Sequence, residues 1–151
     1  MINDENIKNS ILIVDDEVAN IEALCYILED DYELYTALSG HGALNAARMF
    51  QPDLILLDII MPEMDGYAVF SEMKINDITK DIPIIFISGL SESSDEIKGL
   101  TMGAADYISK PFVNEIVKLR VGNQMKIINQ MRLIVQSNEF IRSIVVKGVG
   151  S

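Results

Sequence analysis

The chain has 151 residues, one domain's worth, and a chain of this length buries roughly two-thirds of its unfolded surface without a disulfide or metal to hold it together. The single cysteine, Cys25, excludes an internal disulfide and is typical of a reduced cytoplasmic protein. The first residues lack the apolar core of a signal peptide, and no apolar run reaches the length of a membrane span. We therefore expect no membrane contact.

The net charge of −11 is unevenly distributed. Residues 1–111 carry six Lys and Arg against 21 Asp and Glu, a net charge of −15, whereas residues 112–151 carry six against two, a net charge of +4. An acidic body repels phosphate backbones, and the basic residues of the tail are scattered among apolar ones. We expect no nucleic-acid binding by this chain.

The first third of the chain alternates between strand and helix patterns. Residues 1–9 are polar and predict a flexible leader. The apolar run Ser10–Val14 predicts a strand that is buried on both faces of a parallel sheet. The elements predicted next are a helix that ends near Asp30, a strand nearer the sheet edge at Glu33–Leu38, and a helix from Ser39 to Phe50.

The stretch Leu54–Gly66 organises the rest of the chain. Its four apolar residues predict another buried strand, which Asp58 closes. Ligands of open α/β sheets bind outside the carboxyl ends of the strands, so a carboxylate there is placed for chemistry. Met61-Pro62 and Asp65-Gly66 then predict a tight surface loop. Taken alone, Asp58 is better explained as a cap of this loop. Whether it has a chemical role depends on the residues at the ends of the other predicted strands.

The same alternation continues to residue 110. The predicted elements are a helix at Tyr67–Lys74, a strand at Ile84–Ile87, a helix at Asp95–Met102 and a short strand at Tyr107–Ile108. Five strands that alternate with helices predict a doubly wound five-stranded parallel sheet, (βα)5, with helices on both faces. Right-handed crossovers would bring all the strand-end residues to one edge of this sheet.

From Val113 a helical pattern continues well beyond the about 12 to 15 residues needed to cover the sheet. One apolar stripe fits a short heptad seam, and it comprises Val117, Val121, Gln124, Ile128, Met131 and Val135. A second stripe beside it comprises Ile127, Met131, Ile134, Ile141 and Val145. Residues 123–146 are predicted to form an extended helix that pairs with a second chain, folds back on its own domain or frays. Residues 147–151 are predicted to be disordered.

The predicted strand ends bring carboxylates, a hydroxyl and an amine together, namely Asp15, Asp16, Asp58, Ser88 and Lys110. Three neighbouring carboxylates raise one another's pKa unless a cation offsets their charge. Such an oxygen-rich site suits Mg²⁺, which takes one or two carboxylates together with water and phosphate oxygens. The lysine and the hydroxyl add the charge and the donor that a phosphoryl group needs.

These motifs resemble the receiver domain of two-component response regulators, the CheY-like family. The matching residues are Asp15-Asp16 after SILIV, Asp58 in LILLDIIMPEMDG, Ser88-Gly89 after IPIIFI, and the run DYISKP that contains Lys110. The resemblance covers residues 10–122, the predicted receiver domain. It implies a flavodoxin-like fold and a cytoplasmic signalling domain that catalyses only its own phosphorylation and dephosphorylation.

The resemblance also implies a role for each matching residue. Asp58 would accept a phosphoryl group from a sensor histidine kinase or a phosphotransfer protein. Asp16, Asp58 and the carbonyl of Ile60 would bind Mg²⁺, with Asp15 acting through water. The remaining roles are contacts to the phosphoryl oxygens by Lys110 and Ser88, an inward-turning switch aromatic at Tyr107, a tight loop at Gly66 and a cis peptide bond before Pro111.

Some positions depart from the common pattern. Ser88 stands where threonine is more frequent in the family, which keeps the hydroxyl but loosens its rotamer. Ile60 and Leu90 stand where the family tunes hydrolysis, and since neither can orient water we expect a long-lived phosphoryl group. Leu119-Arg120-Val121 and Asn123 resemble the extended fifth helix of receivers that precede output domains, including those that make or degrade cyclic dinucleotides. This likeness favours a homodimer through that helix.

Three alternatives were weighed against this interpretation. A haloacid dehalogenase-type phosphatase places a second acid two residues after its nucleophile, where this chain has Ile60. A flavin-binding module needs a glycine- and hydroxyl-rich phosphate loop after the first strand, where Asp15-Asp16-Glu17 would repel phosphate. The alternative that stays open is a single-domain or degenerate receiver that acts only as a protein-binding adaptor.

Overall fold

The computed structural model describes residues 7–89 and 93–149 of the chain. The strands are β1 (Ser10–Val14), β2 (Glu33–Ala37), β3 (Leu54–Asp58), β4 (Ile84–Ser88) and β5 (Asp106–Ser109). The helices are α1 (Val18–Leu28), α2 (Gly40–Phe50), α3 (Gly66–Ile75), α4 (Ser93–Met102) and α5 (Asn114–Val149). Of the predicted leader, residues 1–6 lie outside the described residues.

The five strands form one parallel sheet in the order β2-β1-β3-β4-β5. This confirms the predicted flavodoxin-like (βα)5 fold and the edge position of β2. The central pairing sets Val14 of β1 against Leu57 of β3, so the residues that follow these strands emerge side by side. The sheet order therefore brings Asp15 close to Asp58 although 43 positions separate them in the chain.

Successive side chains of each strand point to opposite faces of the sheet, and both faces are covered. One face packs against α2 and α3 through Ala43, Ala47, Val69, Phe70 and Met73. The other packs against α1 and α5 through Ile21, Leu24, Val117, Val121 and Met125. Because helices cover both faces, the central strands read as unbroken apolar runs rather than as an alternation.

Helix α5 has 36 residues and is roughly 54 Å long. Its first half packs on the sheet, where Val117, Val121 and Ile128 are buried. These three members of the stripe that fits a heptad seam therefore face the chain's own sheet rather than a second chain. Residues 129–145 are all exposed. The helix continues through residues 147–149, which were predicted to be disordered, and residues 150–151 lie outside the described residues.

Polar contacts fasten α5 to the amino ends of two strands. At the start of β5, Arg120 Nη1 donates to Asp106 Oδ1 at 2.9 Å. Further along the helix, Arg132 pairs with Asp53, the residue before β3. Asn129 and Asn9 also exchange two amide hydrogen bonds there, of 3.0 and 3.1 Å. The direction of α5 is thus fixed as far as Arg132.

Candidate functional site

Three carboxylates meet at the carboxyl edge of the sheet. Asp15 directly follows β1 and is 0% exposed, and Asp58 ends β3 and is 3% exposed. Asp16, the next residue after Asp15, is exposed to solvent. One oxygen from each of the three carboxylates lies within 4.8 Å of the other two. The cluster therefore has two buried members and one that opens to solvent.

Lys110 bridges the two buried carboxylates. Its Nζ lies 3.1 Å from Asp15 Oδ2 and 3.3 Å from Asp58 Oδ1. The lysine directly follows β5, where its backbone N–H donates to the carbonyl of Ser88 at 2.8 Å. The Lys110–Pro111 peptide bond is cis, the isomer predicted from the sequence. The amine thus reaches across the end of β4 to the carboxylates of β1 and β3.

The two oxygens of Asp15 have different surroundings. Oδ1 accepts hydrogen bonds from the backbone N–H of Glu17 at 2.9 Å and from Asn20 Nδ2 at 3.4 Å. Oδ2 is buried, and although Lys110 Nζ is near enough to form an ion pair, no donor among the described residues is aligned for a hydrogen bond to it. Asp15 therefore keeps a buried acceptor that is only partly compensated.

The loop after β3 is pressed tightly against Asp58. The backbone N–H of Gly66 donates to the carbonyl of Ile59 at 2.7 Å, and a Cβ at Gly66 would lie 2.3 Å from the carbonyl oxygen of Asp58. Only glycine fits so close an approach. Asp65 caps α3 by accepting from the N–H of Ala68 at 2.9 Å. The loop ends where the Asp-Gly dipeptide predicted a turn.

The cluster controls the protonation of Asp58. Burial raises the pKa of Asp58, the negative charges of Asp15 and Asp16 raise it further, and Lys110 opposes both, so that the pKa is about 6. Burial acts to lower the pKa of Lys110, but the close contacts and negative charges of Asp15 and Asp58 outweigh it and raise that pKa. The amine is therefore held cationic, yet its single charge does not fully compensate three carboxylates.

A cleft of about 380 Å³ opens beside this cluster, and its lining residues are Asp16, Glu17, Asn20, Asp58, Ile60, Gly89 and Lys110. Ile60 is 56% exposed at the cleft, while Leu90 lies outside the described residues. The all-oxygen donor set, the excess negative charge and the partly compensated oxygen of Asp15 fit a small divalent cation. The cleft also leaves room for a tetrahedral anion next to that cation.

Ser88 and Tyr107 lie behind the cleft. Ser88 ends β4, is fully buried and stands opposite Ser109 of β5 in the sheet. Tyr107 is buried in the apolar cluster that β4 forms with α2 and α3, so its ring points inward. Both residues belong to strands β4 and β5, whose carboxyl ends lead to Gly89 and Lys110 at the cleft.

A family model for the response regulator receiver domain matches residues 11–121. The chain belongs to this family. As a receiver domain it is a phosphoacceptor module of two-component signalling. A putative response regulator from Chloroflexus aurantiacus has the same fold, with a TM-score of 0.75, 32% identity, and coverage of 80% of this chain and 99% of that one.

Two curated relatives are longer proteins. A probable cyclic di-GMP phosphodiesterase from Vibrio cholerae is 37% identical over 141 residues, which cover 93% of this receiver chain and 32% of that protein. The response regulator PleD from Caulobacter vibrioides is 40% identical over 112 residues, 74% of this chain and 25% of that protein. The receiver therefore spans a quarter to a third of these relatives.

Sequence reasoning missed one residue of this receiver site. Asn20, in the first turn of α1, donates to Asp15 Oδ1 and to Glu17 Oε2, at 3.4 and 3.3 Å. The sequence signal that could have identified Asn20 is its position about one helical turn after Asp16. This spacing directs the Asn20 side chain back toward the end of β1. The residues that had been predicted from the strand ends all lie at or directly behind the cleft.

Proposed function

We propose that Asp58 accepts a phosphoryl group from the phosphohistidine of a sensor histidine kinase or a phosphotransfer protein in the cytoplasm. A carboxylate oxygen of Asp58 forms a bond to phosphorus while the bond between phosphorus and the histidine nitrogen breaks, and that nitrogen keeps the electron pair. The observation that carries the proposal is the ion pair of Lys110 with both buried carboxylates. Phosphoryl transfer needs mainly positioning and charge neutralisation, which this arrangement provides.

The other residues of the cleft hold and neutralise the group. Asp16, Asp58 and the backbone carbonyl of Ile60 would hold Mg²⁺, with Asp15 contributing through water. When bound, the ion supplies positive charge that offsets the carboxylates and the phosphoryl oxygens. Lys110 contacts one phosphoryl oxygen and Ser88 donates to another. Ile60 has no polar side-chain atom to orient an attacking water, so we expect slow hydrolysis.

The response to phosphorylation spreads from Ser88. The phosphoryl group carries about −1.5 to −2 units of charge, which replace the single negative charge of the Asp58 carboxylate, and brings three acceptor oxygens next to that hydroxyl. Ser88 moves toward it, Tyr107 follows, and the surface formed by α4, β5 and α5 changes. In a longer protein related to those above, this change would control an output domain or a homodimer held by α5.

Phosphorylation with acetyl phosphate tests the assignment of Asp58. With Mg²⁺ present we expect the intact protein to gain the mass of one phosphoryl group, and we expect Asp58→Asn to gain none. Asp77→Asn is the matched control, because Asp77 is exposed on a surface turn and its ion pair in the described part of the chain is with Lys80. Full labelling of the Asp58→Asn protein would refute the assignment, as would a wild-type protein that stays unlabelled in Mg²⁺.

A further inference from the structure

The half of α5 that extends past the sheet carries an apolar stripe that this chain leaves uncovered. Ile127, Met131, Ile134, Ile141 and Val145 are each 52% to 58% exposed. With Asn138 they follow one another at alternating steps of four and three residues, the spacing of the two seam positions in a coiled coil. We call these six residues the α5 seam. Its members lie roughly 120° around the helix from the residues that pack on the sheet, so the body does not block them.

The α5 seam contains one polar residue, and this residue indicates what covers the stripe. Assigning Ile127, Ile134 and Ile141 to the d positions puts Met131, Asn138 and Val145 at the a positions. A single asparagine at an a position fixes the register and the number of strands, because its buried amide needs a matching amide. A second copy of this chain supplies one at the same level.

We propose that residues 127–145 pair with those of a second copy as a parallel, in-register, two-stranded coiled coil in which Asn138 faces its equivalent. In this arrangement each amide can donate to and accept from the other. An antiparallel pair with fully overlapped seams would set Asn138 against Ile134 and leave both amides buried without partners, which is costly. The seam itself therefore selects the parallel form.

The contacts of Arg132 and Asn129 with the body give this pairing a starting point. Arg132 binds Asp53 and Asn129 binds Asn9, so the first seam residues leave the sheet in a fixed direction. Two parallel copies would then carry their receiver bodies at the same end of the coiled coil. This deepens the homodimer contact suggested under the proposed function by naming its orientation, register and contact layers.

Disulfide cross-linking tests the orientation and register. In a Cys25→Ser background of the full chain, Ile134→Cys, which leaves Asn138 in place, is oxidised and compared with Gln136→Cys, which lies on the opposite side of the helix. A parallel in-register pair brings the residues at position 134 within disulfide reach and keeps those at position 136 apart. We expect a cross-linked dimer only from Ile134→Cys. Equal cross-linking of both variants, or none from Ile134→Cys, would overturn the proposal.

Sedimentation velocity tests the seam itself. We expect a dimer for the wild type and a monomer for Ile134→Glu, whereas Leu133→Glu should stay dimeric, because Leu133 is also exposed but lies off the seam. Runs with and without acetyl phosphate and Mg²⁺ cover both states of the receiver. A wild type that is monomeric in both, a trimer or tetramer, or equal loss in the two variants would overturn the coiled coil.

Phosphoryl uptake by the same samples separates this inference from the function proposed for Asp58. We expect Ile134→Glu to take up a phosphoryl group as the wild type does, since the seam lies outside the cleft. Normal uptake by a protein that does not pair as proposed refutes the coiled coil alone. A correctly paired dimer that takes up no phosphoryl group refutes the phosphoacceptor assignment alone.

Discussion

The cleft and the far half of α5 are both energetically unfavourable in the isolated chain, for opposite reasons. The cleft buries charge, since Asp15 and Asp58 are almost wholly enclosed and share one lysine. The far half of α5 exposes apolar surface along a helix whose residues 133–145 are all exposed. Both arrangements cost free energy in the isolated chain. A cation and a phosphoryl group would reduce this cost in the cleft. A second apolar helix would reduce it on α5. Regions that are left uncompensated in this way are where partners bind.

The largest expected effect comes from removing the positive charge of the cleft. We expect Lys110→Ala to slow phosphorylation by acetyl phosphate by on the order of 10²-fold, because a preorganised donor to the developing charge is lost. The rate constant with saturating Mg²⁺ is the measurement. Lys118→Ala, on the exposed side of α5, is the control and should leave the rate unchanged. Equal rates for the wild type, Lys110→Ala and Lys118→Ala would show that charge neutralisation by Lys110 does not speed phosphorylation.

The next effect concerns the stability cost of the buried charge. The folded-state pKa of Asp58, about 6, lies above the ordinary carboxyl value, so the native state binds the proton more tightly than the unfolded state does. The stability that this group contributes is therefore present at low pH and is lost as the pH rises from about 4 to about 6. Without Mg²⁺ at about pH 7.5, we expect Asp58→Asn to be more stable than the wild type by about 1–3 kcal/mol.

Urea unfolding in the presence of a chelator measures this difference. It should shrink as the pH falls through about 6 and vanish below about pH 3, where the carboxyl group is protonated in both states. Asp77→Asn controls for the loss of one surface charge. Adding Mg²⁺ should reduce the advantage of Asp58→Asn, since a cation compensates the wild-type cluster. A gain that does not depend on pH would mean that charge burial is not its cause.

The smallest expected effect tests whether α5 divides into a part that is docked on the body and a part that projects beyond Arg132. We expect Arg132→Ala to lower the free energy of unfolding by up to about 1 kcal/mol near neutral pH, as is usual for a half-exposed ion pair. Burial acts to raise the pKa of Asp53, but hydrogen bonds from Arg132, Ser10 and Asn9 lower it overall. The contribution is present above about pH 4 and lost as the pH falls through the lowered pKa.

Arg142→Ala is the matched control for this prediction, because Arg142 is exposed on the projecting part of the same helix. Urea unfolding at protein concentrations low enough to disfavour dimers should give this variant the stability of the wild type. Equal losses from both variants would mean that α5 does not divide at Arg132 into a docked part and a projecting part.

The sequence predicted the cleft better than it predicted the helix, for a physical reason. Parallel strands gather their carboxyl ends at one edge, so residues that follow apolar runs, such as Asp15, Asp58 and Lys110, could be brought together without coordinates. The two stripes of α5 could not be separated in the same way. Both repeat at helical spacing, and only the docking direction of the helix decides which one the sheet covers.

Contacts between distant polar residues were equally hard to foresee. Arg132 and Asp53 are 79 positions apart, and Asn9 and Asn129 are 120 apart. None of these four residues belongs to a motif or to an apolar pattern. Their pairing follows from the angle at which α5 crosses the sheet, which is set by the summed packing of its buried residues rather than by any local signal.

The uninterrupted course of α5 has a mechanical consequence. The helix is anchored beside β5 by Arg120 and continues roughly 25 Å past Arg132 to its last described turn. A lever of that length converts a small tilt at the sheet into a displacement of several ångströms at its far end. Whatever is attached there can sense the state of the receiver without ever approaching the aspartate.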